Sequence, residues 1–177
     1  MGLVILGLAC DNAQIDDANK LINEANPLID KSKPLSEKAA NLINDVMGSK
    51  MTEAEDIDQY KTDNKAKFDE IVSLSEQCEK NFSEAAGKFD QASTRKLDDK
   101  FKEYVGLKAQ EFKKDAEKHK MTAAFIKAFL AERDVAKADQ SIADYNKKNE
   151  ALMKEANELD AKAEKIIKDN PSLFKPN

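Results

Sequence analysis

From Ile57 to Ile166 apolar residues recur every three or four positions, and no proline interrupts the run. That spacing keeps one stripe of a helix apolar, and a strand would need strict alternation instead. The stripe passes through Ile57, Tyr60, Asn64, Phe68, Ile71, Leu74, Cys78, Phe82, Ala85 and Phe89. It continues after Gly87 through Leu97, Phe101, Tyr104, Ala109, Phe112 and Ala116, and from Phe125 through Ile142, Tyr145, Leu152, Ala156, Leu159, Ala163 and Ile166. A single helix from Thr52 to Asn170 would be ~180 Å long at 1.5 Å per residue, so the chain is expected to fold back on itself.

A stricter period precedes this stretch. Four consecutive sevens, ANKLINE, ANPLIDK, SKPLSEK and AANLIND, cover Ala18 to Asp45. Their first and fourth residues are Ala18/Leu21, Ala25/Leu28, Ser32/Leu35 and Ala39/Leu42, the a and d spacings of a helical seam with small residues at a. Pro27 and Pro34 recur at the same place in successive units. An interior proline removes a hydrogen bond, so each is expected to kink or restart the helix, with Asn26 and Ser32 as caps for restarted segments.

Gly48 offers a helix stop, and Thr52-Glu-Ala-Glu55 is a capping-box pattern for the next start. The later turns are expected at Gly87–Thr94, capped by Ser93 or Thr94, and at Ala131–Val135, capped by Asp134; Lys118–Thr122 is the rival for the second of these. Four helices of similar length result, which predicts an all-α fold, an elongated antiparallel four-helix bundle or coiled coil of long amphipathic helices, with a three-helix arrangement as the alternative. Pro171 ends the last helix, and Leu173 and Phe174 in the tail are expected to fold back on the bundle end. The chain thus divides into residues 1–10, a helical bundle over 11–170 and a tail over 171–177.

Composition agrees with long helices: 36% of residues are charged, while Gly (5), Pro (4) and Trp (0) are scarce. The 29 basic and 34 acidic residues are interspersed, giving a net charge of −5 and no basic stripe for a phosphate backbone. Nucleic acid is therefore not an expected partner.

Little in the sequence carries chemistry. His119 is the only histidine, no Glu-x-x-His pair occurs, and neither a phosphate loop nor a nucleophile motif is present, so no metal, cofactor or catalytic residue is predicted. Between Lys118 and Lys120, His119 is expected to be solvated. Cys10 and Cys78 lack any Cys-x-x-Cys spacing; Cys78 falls within the apolar stripe and is expected to be a buried, reduced thiol. Asn64 is the polar intruder in that stripe and is expected to fix register. The widest apolar face belongs to MTAAFIKAFL, where Phe125, Ile126, Phe129 and Leu130 are candidates for receiving a partner helix, an apolar ligand or a lipid surface. The simpler expectation is that they pack against Pro27, Pro34 or the N-terminal arm.

Residues 1–10, MGLVILGLAC, form an uncharged apolar run that changes abruptly to the polar Asp11-Asn12. The run is too short to span a bilayer, which takes ~20 apolar residues, and it has the form of an export signal ending at its processing site. Leu6-Gly7-Leu8-Ala9-Cys10 resembles the lipobox of bacterial membrane lipoproteins, with small Ala9 directly before the cysteine. The resemblance implies that Cys10 is lipidated and becomes the mature N-terminus, that the membrane is a partner through this anchor, and that Asp11 acts like an inner-membrane retention signal. The expected function is that of a non-enzymatic envelope lipoprotein, facing the periplasm or exterior, that scaffolds or spaces other envelope proteins or self-associates. The alternatives are a bundle that binds an apolar ligand or lipid surface, and a cytoplasmic coiled-coil adaptor.

Overall fold

The computed structural model describes residues 3–4, 12–47 and 56–176. Helix α1 spans Asn12–Met47, α2 Ile57–Asp63, α3 Lys65–Ser93, α4 Asp99–Ala131 and α5 Val135–Asp169. Strands β1 (Leu3–Val4) and β2 (Lys175–Pro176) form a two-residue antiparallel pairing. The protein is an all-α, elongated antiparallel four-helix bundle, with α2 and α3 together forming its second rod.

Charges and rings that meet across helices set the direction of each pair. Lys88 reaches Glu24 at 2.8 Å and Lys67 reaches Asp45 at 2.6 Å, so α1 and α3 run oppositely. Phe89 meets Phe112 and Phe68 meets Phe129, with centroids 5.3 and 5.7 Å apart, so α3 and α4 do the same. Lys114 with Glu155 and Lys108 with Asp160, at 2.8 and 3.0 Å, align α5 against α4. Packing is close between α1 and α3, α3 and α4, and α4 and α5, whereas α1 and α5 barely touch. The bundle is therefore open along one of its four edges.

The small a residues of the seven-residue repeat are what bring α1 close to α3. Ala18, Ala25, Ser32 and Ala39 are buried, and Ile15, Ile22, Ile29 and Val46 fill the same stripe, while Leu21, Leu28, Leu35 and Leu42 are half-buried at its side. Neither proline restarts the helix: α1 runs unbroken for 36 residues. Pro27 and Pro34 are exposed, as are Asn23 and Asp30 four residues before them, whose carbonyls lose their helical donors. Facing water, those carbonyls can be hydrated, which lowers the cost of a proline inside a helix. Ser32 is not a cap; its hydroxyl donates back to Leu28 O at 2.8 Å.

The remaining breaks follow local hydrogen bonding. The second rod is interrupted at Asn64, whose Nδ2 donates to Tyr60 O at 3.0 Å, so Asn64 marks a joint rather than a register-setting core position. Helix α3 passes through Gly87 and stops at Ser93. The Ser93 and Thr94 hydroxyls donate to Asp90 O and Gln91 O behind them, and Asp98 caps α4 by accepting from Lys100 N at 2.8 Å. Helix α4 continues through Lys118–Thr122, and Asp134 caps α5 by accepting from Ala136 N and Lys137 N. Gly48 and Thr52–Glu55 lie outside the described residues.

The tail turns back as expected. Phe174 is buried with its ring 5.5 Å from Phe101 and 5.1 Å from Tyr104. This aromatic cluster closes the apolar core at the end where α1 begins. A second apolar cluster, centred on Val46, Phe68, Ile71, Ile126 and Phe129, fills the other end. Between the two lies a polar layer of buried Ser32, Ser75, His119 and Thr122.

Candidate functional site

The open edge between α1 and α5 is a cleft, and its floor is the polar layer. The thin apolar stripe of α5 explains the opening. Its buried residues are Ala138, Tyr145, Ala156, Ala163 and Ile166, mostly too small to reach past α4 to α1. Interhelical ion pairs also join α5 to α4. Around the middle of the bundle the cleft encloses about 260 Å³, walled by Ala39, Ala40 and Ile43 of α1 and by Tyr145, Asn149 and Met153 of α5. Toward the α4–α5 turn it continues into a space of about 220 Å³ that shares Ile43, Asn44, Tyr145 and Asn146 and is backed by Phe125.

Tyr145 is the best-fixed side chain in the cleft. Its ring stacks on Phe125 at 4.2 Å, and its hydroxyl lies 3.0 Å from Thr122 Oγ1, while Thr122 also donates to Lys118 O. Burial raises the Tyr145 phenol above its ordinary pKa, so it stays a neutral hydroxyl.

His119 and Ser75 differ from it. His119 is 4% exposed and stacks on Phe82 at 5.8 Å, and burial, with the Lys118 charge second, pushes its pKa from 6.5 down to about 3. The expectation of a solvated histidine is overturned. Position 119 continues the row Phe112, Ala116, Ala123, Ile126 at helical spacing, and that row faces the core whatever charge its sequence neighbours carry. Ser75 continues the corresponding row Phe68, Ile71, Cys78, Phe82 of α3 and is fully buried. Ser75 Oγ and His119 Nε2 both lack a hydrogen-bond partner among the described residues, and both side chains line the cleft. A buried, unpaired polar group costs ~1–3 kcal/mol, which makes two beside one cleft notable.

Cys78 is buried beside this layer, with Sγ 3.6 Å from Ser32 O, and burial pushes the thiol up to about 11. It is a reduced core residue. Along the α4–α5 contact, burial also raises Glu111 to about 7, although Lys108 is ion-paired with it. Asp115 is raised as well, again by burial.

The face of Phe125, Ile126, Phe129 and Leu130 lies within the bundle. Phe125, Ile126 and Phe129 are buried and Leu130 is half-buried, and their neighbours are Val46, Phe68, Ile71 and Tyr145 rather than Pro27 or Pro34. Lys61 completes that end: its Nζ lies 4.5 Å from the Phe129 ring centroid and donates to Glu132 O, placing a cation at the C-terminus of α4. Cys10 lies outside the described residues. Among those that are described, no group of three or more His, Cys, Asp or Glu could hold a metal ion, and no helix is long and apolar enough to cross a membrane.

Comparison with known proteins found no matching family model, no significantly similar curated protein and no significantly similar solved structure. The cleft and the lipobox-like segment are thus the features from which function can be argued. Sequence spacing alone could have brought Ser75 and His119 forward, since both sit on apolar rows.

Proposed function

We propose that this chain is a membrane-tethered, non-enzymatic helical module of the bacterial cell envelope, acylated at Cys10 and serving as a scaffold, spacer or binding partner for other envelope components. The observation that carries this reading is where α1 starts. Asn12 opens the helix two positions after Cys10, so only Asp11 separates the lipobox-like segment from a 36-residue rod. At 1.5 Å per residue that rod is ~54 Å long. Tethered at its start, the bundle would hold the α4–α5 turn far from the bilayer, with Ala40 roughly 40 Å along α1.

The polar layer favours binding over catalysis. Ser75 Oγ and His119 Nε2 do not bond to each other, so His119 does not activate Ser75 as a nucleophile. A histidine held near pKa 3 is also a weak proton acceptor at neutral pH. Cleavage before Cys10 would remove β1 and its pairing with β2, leaving the tail held by Phe174 against Phe101 and Tyr104. The test is incorporation of radiolabelled palmitate by cells expressing the full gene product or its Cys10→Ala variant. Label in the first and none in the second supports the reading. An unlabelled, soluble wild-type protein overturns it and favours the cytoplasmic adaptor.

A further inference from the structure

We propose that the cleft between α1 and α5 is a binding site for a small uncharged amphiphile, a molecule with an apolar body and a neutral hydroxyl- or amide-bearing head that pairs with Ser75 and His119. This inference does not depend on the anchor at Cys10.

Three observations converge on it. The first is shape. Two adjoining spaces of about 260 and 220 Å³ share four lining residues, and only taken together do they reach the lower part of the size range usual for small-molecule sites. The second is unmet hydrogen bonding. Ser75 Oγ and His119 Nε2 are both buried in the polar layer without a protein partner among the described residues, and a ligand head that both donates and accepts would satisfy them once an outward shift of α5 opens the floor of the cleft.

The third is the distribution of charge and apolarity along the lining. Among the described residues, no carboxylate lines either space. Lys118, the one cation among the described lining residues, has Asp115 at 3.8 Å, and the other polar groups there are neutral amides and hydroxyls such as Asn44, Asn146 and Thr122. A charged head would have to leave water for a site whose only counter-ion is already engaged, which is costly. Ala39, Ala40, Ile43 and Met153 offer the apolar wall for a short chain or ring. Because α5 is held to α4 but not to α1, the cleft can widen by a small shift of α5 without breaking the apolar core between α1 and α3.

The site has its own reporter, since His119 is the only histidine and gives a single imidazole signal set. The experiment titrates the full chain with 1-decanoylglycerol and, separately, with decanoate, both below micelle-forming concentration, and follows the His119 ring by nuclear magnetic resonance. The expected result is a saturable shift with the glyceride and an affinity at least about tenfold weaker for the anion, the factor that ~1.4 kcal/mol of head-group desolvation would produce. Ala40→Trp places bulk on the exposed rim of the cleft and should abolish the shift while thermal melting stays cooperative. Ser75→Ala should weaken binding about fivefold, the loss of one neutral hydrogen bond. The absence of a saturable shift overturns the site. A shift that persists in Ala40→Trp puts the amphiphile elsewhere and also overturns it, and equal affinity for decanoate overturns the neutral-head assignment.

Discussion

Replacing His119 with Phe should remove an acid sensitivity built into the polar layer. The ring lies against Phe82 and is 4% exposed, and burial holds its pKa near 3 instead of 6.5. In the unfolded chain the imidazole takes up a proton as the pH falls through about 6.5, whereas the folded protein resists until about pH 3. Over that window the unfolded state binds more protons, so the stability present above pH 6.5 is lost progressively on acidification. The slope is ~1.4 kcal/mol per pH unit, or about 2 kcal/mol between pH ~7.5 and pH ~5.

Two carboxylates on α4 act in the opposite sense. Glu111, raised from 4.5 to about 7, keeps its proton in the folded state where the unfolded chain has lost it, so acidification favours folding over that interval. Asp115, also raised by burial, adds to this. The wild-type profile is therefore a partial cancellation, and its difference from His119→Phe isolates the histidine. Phe preserves the ring stacking and cannot titrate. Urea unfolding followed by circular dichroism, run on both proteins at about pH 7.5 and about pH 5, should show the wild type losing about 2 kcal/mol more than the variant between those conditions. Identical pH dependence in the two proteins would refute the claim that the core holds this imidazole neutral.

Three further outcomes follow from the helices. Pro27→Ala and Pro34→Ala, both at exposed positions inside α1, should each raise stability by up to ~3 kcal/mol in urea unfolding, less the entropy that proline removes from the unfolded chain; a fall would mean that the prolines shape the bundle. Asp134→Ala should cost ~1 kcal/mol because it removes the α5 cap, whereas Ser93→Ala should stay within ~0.5 kcal/mol; equal effects would contradict the capping assignments. Ala25→Leu, at a fully buried seam position, should lower stability by ~1–3 kcal/mol through overpacking, and a neutral result would mean that α1 and α3 are not in close contact there.

Sequence periodicity located the elements whose determinants are local. Cys78 falls on an apolar row, Asp134 stands directly before a helical run, and Phe174 follows a proline stop; each is found where that pattern places it. Other features depended on more than spacing. Whether Pro27 and Pro34 break α1 turns on which side of the helix their freed carbonyls occupy, and they occupy the wet side. Ser93 and Thr94 have the right chemistry for caps, but their hydroxyls reach backward to α3, leaving the role to Asp98. His119 was hidden by its lysine neighbours, although positions 112, 116, 123 and 126 fix its direction. The breadth of the Phe125–Leu130 face has a tertiary origin: α4 packs against both α3 and α5, so it needs a wider apolar arc than an outer helix does. The cleft could not be read from one helix at a time, because it exists only where α1 and α5 fail to meet.

The most direct test of the envelope assignment is the mass of the N-terminal peptide of the protein isolated from the cells that make it. The expected peptide begins at Cys10 and carries a diacylglyceryl group, with or without a further acyl chain. An unmodified peptide that continues through Cys10 into Asn12 would contradict it and leave the cleft as the feature from which function must be sought.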